Sequence, residues 1–143
     1  MRLRTKGKLA KSINRLAAVA AFLGAPFFAA HAGDTPLGSV STPDGKVRIE
    51  VLALKRMDGD TVQLRWRVVN SDNRPYSMTT LNERLIDMPA RREYSAGEGS
   101  SCRAEPDQQA ICWALFAGPP QSTKAMTVHF YEQLDLLPGI PVS

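Results

Sequence analysis

From Thr61 to Asn70 the chain reads Thr-Val-Gln-Leu-Arg-Trp-Arg-Val-Val-Asn, with apolar residues at every second position. Val62, Leu64, Trp66 and Val68 share one side, and Gln63, Arg65, Arg67 and Val69 the other. Successive side chains of a strand point to opposite faces of a sheet, so this period demands a half-buried strand. It places Trp66 in a core and Arg65 and Arg67 toward solvent. No segment after residue 32 sustains a 3.6-residue apolar period for three turns, so the fold has to be built from strands.

Other segments fit the same frame. Val47 to Lys55 alternates, with Val47, Ile49, Val51 and Ala53 on one face, and becomes apolar on both faces toward Leu54. Met57-Asp58-Gly59-Asp60 supplies a hairpin turn between these two strands, because Asp and Gly tolerate positive φ. Tyr76 to Glu83 reads as an extended edge. Arg84 to Met88 and Glu93 to Ala96 form a hairpin around Pro89-Ala90-Arg91. Gly97 to Gln109 reads as a polar loop. Ala110 to Ala117 is apolar on both faces, as a central strand would be. Gly118-Pro119-Pro120-Gln121 is a break, Ala125 to Tyr131 alternates again, and a last strand lies near Ile140 to Val142. Short strands separated by turn residues argue an all-β sandwich or small barrel.

The N-terminal segment has a different character. Arg2, Arg4, Lys6, Lys8, Lys11 and Arg15 precede an uncharged, mostly apolar run from Leu16 to Ala30. Ala30-His31-Ala32 then offers the small-x-small pattern of a signal-peptidase site, with Gly33 as the new N-terminus. The run is shorter than the roughly 20 residues a membrane-spanning helix needs. Residues 1–32 are therefore expected to be a cleaved signal peptide, leaving no stable membrane anchor. Residues 33–46 read as a flexible lead-in with a short edge strand near Val40, and 47–143 as the folded domain.

Export changes the meaning of the charge. The chain has 18 Lys and Arg against 14 Asp and Glu, a formal charge of +4. Six of the basic residues and none of the acidic ones lie in residues 1–32, so residues 33–143 hold 12 basic and 14 acidic groups, net −2. The electrostatic footprint of a nucleic-acid binder is missing.

Two stretches carry a family resemblance. Asp58 to Asn70 (DGDTVQLRWRVVN) resembles the second strand of small exported bacterial immunoglobulin-like β-sandwich domains, including those that stand N-terminal to OmpA-like modules. Cys112 to Pro120 (CWALFAGPP) is similar to their late core strand, and Leu137 to Val142 (LPGIPV) to their closing strand. The resemblance implies an immunoglobulin-like β-sandwich of about seven strands. It implies no catalytic residues and no cofactor.

The chain offers few reactive groups. Cys102 and Cys112 are its two cysteines, and in an oxidising compartment an even pair reads as a disulfide. Closing a loop of roughly 11 residues is worth about 3 kcal/mol in the chain-entropy model. Cys112 and Trp113 face opposite ways on one strand, so if Trp113 is core the disulfide lies outside it. His129 is the only histidine after the signal segment. It cannot complete a zinc site of the usual ligand count with an oxidised cysteine pair. A Ser-His-Asp triad would have to use it, and no serine has the surroundings of a nucleophile elbow. Asp58 and Asp60 belong to a turn rather than a calcium site. Glu93, Glu98 and Asp87 have no reason to pair.

The stretch from Asn73 to Leu85 is richer. Arg74, Tyr76, Met78 and Arg84 are residue types enriched at interfaces. The expected function is a non-catalytic binding or protein-interaction module of the bacterial envelope, periplasmic or secreted. Its partner would be an envelope protein or a small ligand, with no metal. Two alternatives are an inhibitor or immunity-type protein acting through the 73–85 loop, and a hydrolase with a site near His129.

Overall fold

The alternation of Thr61–Asn70 becomes a ten-residue strand whose inward side chains, Val62, Leu64, Trp66 and Val68, are all at most 1% exposed. The computed structural model describes residues 35–131 and 133–143. The expected cleavage residues Ala30, Ala32 and Gly33 lie outside the described residues. Ten strands form: β1 (Gly38–Ser41), β2 (Val47–Arg56), β3 (Thr61–Asn70), β4 (Tyr76–Met78), β5 (Arg84–Asp87), β6 (Arg92–Gly99), β7 (Cys102–Ala104), β8 (Gln109–Ala117), β9 (Ala125–His129) and β10 (Leu137–Pro141). No described residue is helical.

Eight strands share one sheet in the order β1-β2-β3-β8-β6-β5-β9-β10, while β4 and β7 pair separately, every pairing being antiparallel. The long sheet folds into two layers because β6 belongs to both. Arg92–Ser95 pair with β5, a bulge follows between Ala96 and Glu98, and the end of the strand pairs with β8. Bulges and bends are how strands turn sandwich corners. The other side is drawn together by the C-terminus. The Ser143 N–H donates to the Leu54 carbonyl at 2.9 Å, and the Arg56 N–H to the Ser143 carbonyl at 2.8 Å. The Trp66 ring on β3 meets Phe130, just past β9, edge-on at 5.3 Å between centroids, across the core.

Several expectations change. Ten strands form where about seven are expected. The lead-in is not free from residue 38 onward: β1 pairs with β2, and Val40 is buried. A bulge in β2 between Val51 and Ala53 inserts one residue. It shifts the inward phase, so Leu54 follows Val51 into the core while Leu52 and Ala53 are only partly covered. The segment 97–109 is not all loop, since β6 continues to Gly99 and β7 follows. β8 is not buried on both faces, because a sandwich layer is covered on one side. Cys112, Ala114 and Phe116 point inward, and Ile111 is 52% exposed. Cys112 rather than Trp113 therefore faces the core. The β5–β6 hairpin turns as expected, with Arg91 in the left-handed region at φ 55° and its N–H on the Met88 carbonyl at 3.2 Å.

Candidate functional site

The Asn73–Leu85 stretch divides into a fastened strand, a projecting turn and a buried acid. Asn70 starts the fastening. It is 1% exposed, and its side-chain amide donates to the Arg74 carbonyl at 2.8 Å and the Ala104 carbonyl at 3.1 Å. β4 then pairs with β7, placing Met78 opposite Cys102. The disulfide between Cys102 and Cys112, with Cα atoms 5.5 Å apart, bolts β7 to the central strand β8. A disulfide-bonded β domain of this size fits an oxidising compartment.

Beyond β4 the chain turns at residues 79–82, closed by the Asn82 N–H on the Thr79 carbonyl at 3.2 Å. Thr80 is buried, and its hydroxyl donates to the Ser100 carbonyl at 2.8 Å. This approach requires Gly99, because a Cβ there would lie 2.5 Å from the Thr80 Oγ1. Leu81, next in sequence, is 50% exposed. The turn thus presents an apolar side chain from a backbone held on both flanks. From the far flank the Arg84 Nη1 donates to the Glu83 carbonyl at 3.1 Å and, more weakly, to the Leu81 carbonyl at 3.4 Å.

Glu83 is fully buried, and neither carboxyl oxygen is hydrogen-bonded to another described residue. Burial pushes its carboxyl up to about 7, against smaller opposing pulls from its own backbone N–H and from Arg84. Strongly shifted acids concentrate at functional sites, though core packing also produces them.

Beside the turn lies an open cleft of about 550 Å³, lined by Asn82, Arg84, Glu93, His129, Tyr131 and Gln133. Arg84 on β5 sits directly opposite His129 on β9. The Arg84 Nε is 3.9 Å from a Glu93 oxygen, with both side chains partly in solvent. The Tyr131 hydroxyl meets that of Tyr76, which ties the cleft to β4, and burial raises the Tyr131 phenol above its ordinary value.

Comparisons with protein-family models, with curated proteins and with solved structures find no match to this chain.

The four residues singled out in 73–85 do not form one patch. Met78 is 9% exposed, opposite the disulfide, so it fills the rim of the core and has no outward contact to offer. Arg74 is exposed and lies with Tyr76 along a separate hollow of about 470 Å³, bordered by Thr42, Asp44 and Asp72. Arg84 lines the His129 cleft. Tyr76 bridges the two through its hydroxyl. His129 has no serine beside it in the sheet: Ser95 shares its rung, but Arg84 stands between them. Two strand spacings are about 10 Å, beyond proton-transfer reach. Among the described residues no three His, Cys, Asp or Glu side chains cluster as metal ligands would.

Leu81, Asn82 and Glu83 lie inside the 73–85 stretch but are not among the residues the sequence singles out there, and neither is Tyr131. A signal for Glu83 existed. Counting back in twos from Asp87 and Leu85, both inward, lands on Glu83.

Proposed function

We propose that this chain is an exported, non-catalytic interaction module of the bacterial cell envelope, periplasmic or secreted, and that it engages a partner protein through the turn at residues 79–82. The observation that carries this reading is the half-exposed Leu81, displayed by a turn whose two flanks are fastened to a disulfide-bonded frame. A pre-ordered loop loses little conformational entropy on docking, so one apolar anchor can be effective. The resemblance to exported immunoglobulin-like domains and the N-terminal signal pattern support the compartment.

The same rigidity favours a second reading within this class, an inhibitor or immunity-type protein whose turn occupies a partner enzyme's groove. The separation of His129 from Ser95 weighs against a serine hydrolase at that histidine.

The test is comparative capture from native envelope extract. A partner retained by the wild-type protein is expected to be lost with Leu81→Asp and kept with Ile111→Asp, a charge placed on another exposed apolar residue. Both variants should melt as the wild type does. Equal retention by Leu81→Asp would remove the turn as the docking element.

A further inference from the structure

The cleft beside the turn has a chemistry of its own, centred on how Arg84 is held. One nitrogen of its guanidinium, Nη1, is committed to the backbone, donating to the Leu81 and Glu83 carbonyls. This fixes the plane of the group and leaves its Nε–Nη2 edge for other partners. Two parallel N–H donors on that edge match the spacing of the two oxygens of a carboxylate. Glu93, the one acid among the described residues that pairs with Arg84, does not occupy it. Its oxygen stands 3.9 Å from Nε, outside hydrogen-bond range, and its side chain is 59% exposed. Such a solvated pair is weak and easily exchanged.

The surroundings suit an anion with polar groups behind it. His129 is paired directly across from Arg84, and its ring offers a further hydrogen-bonding group bordering the same space. The side-chain amides of Asn82 and Gln133 border the same space. Each offers both a donor and an acceptor, as a peptide bond does. Glu93 sets the charge limit. A doubly charged phosphate on Arg84 would face its carboxylate, whereas a singly charged carboxylate meets less repulsion, and an ammonium group on the same ligand would find Glu93 an ion-pair partner.

We infer that the Arg84–His129 cleft binds small ligands bearing an α-carboxylate, of the class of a short peptide or free amino acid, with both carboxylate oxygens on the Nε–Nη2 edge of Arg84. Asn82 and Gln133 then meet the adjoining peptide group. This site shares Asn82 with the docking turn, but Leu81 is not among its lining and its ligand is a small carboxylate rather than a protein, so either reading can fail without the other.

The test is a titration of the folded protein followed by amide and side-chain nuclear magnetic resonance. Four probes are used: the dipeptide Ala-Ala, the same dipeptide with an amidated C-terminus, free alanine, and inorganic phosphate. Ala-Ala is expected to shift the signals of Arg84, His129 and Gln133 saturably, and the amidated form to bind at least about tenfold more weakly, the loss of a charge-assisted pair. Alanine binding as well as Ala-Ala would assign the site to amino acids, and weaker binding would assign it to peptides. Arg84→Lys keeps the charge and removes the fork, so it should weaken Ala-Ala several-fold with the spectrum otherwise preserved. His129→Gln gives a second variant that leaves the contacts of Arg84 to the turn intact, and it should also weaken Ala-Ala. Three results would overturn the inference. These are equal binding of the amidated dipeptide, phosphate binding tighter than Ala-Ala, or no saturable shift up to about 10 mM ligand.

Discussion

Glu83 is the residue at which folding and environment conflict most. Burial makes the ionised carboxylate costly, so the folded state holds the proton up to about pH 7, while the unfolded chain releases it near the ordinary value of 4.5. The sign follows from linkage. Between these two values the folded state binds more protons than the unfolded one, so stability falls as pH rises through that window and levels off above it. The difference corresponds to about 3 kcal/mol. Glu83→Gln keeps the shape and removes the titration. It is expected to stabilise the protein by an amount of that order at pH 8 and by little at pH 4, as read from urea denaturation at both values. A gain independent of pH would assign the effect to packing instead. Glu83 was legible only in retrospect. The strand phase of Arg84–Asp87 points it inward, but a glutamate beside an arginine reads as surface until the position of β5 inside the sheet is known. Met78 shows the reverse limit. As a residue type it suits an interface, and only its pairing opposite Cys102 reveals that it is buried.

At the scale of elements, strands with an uninterrupted period were readable from sequence. β3 matches its expected limits, and β2 nearly so, because alternation fixes which face is buried before any partner is known. What alternation cannot register is a bulge. One extra residue in β2 changes the buried face, and another in β6 sits where the strand changes partner, neither altering composition. β4 lies within the expected extended edge at 76–83 but covers only its first three residues, and β7 was hidden, since three-residue strands carry no period and exist through each other and the disulfide. That dependence can be tested. Replacing Cys102 and Cys112 together with alanine should cost about 3 kcal/mol by the loop-closure argument. It should also speed hydrogen exchange at residues 76–82 more than in β3, because the disulfide ties β7, and β4 with it, to β8. Uniform acceleration throughout the domain would mean that the disulfide stabilises the whole sandwich without specifically ordering the turn.

For the molecule as a whole, the all-β sandwich was legible and its strand order was not. Order depends on β6 passing from one layer to the other and on the C-terminus reaching β2, both long-range choices. The two layers meet at Trp66 and Phe130, so Trp66→Ala should remove about 3–5 kcal/mol, a large share of the stability of a domain this size. Thermal unfolding would show it, and a loss under about 1 kcal/mol would place the main contact between layers elsewhere. The functional claim rests on this frame holding one turn in place. Site-specific photo-crosslinking in intact cells tests that most directly, with a photoreactive amino acid introduced at position 81 and, separately, at position 111. A discrete crosslinked partner is expected from position 81 and none of that mass from position 111. The same partner from both positions, or from position 111 alone, would contradict it.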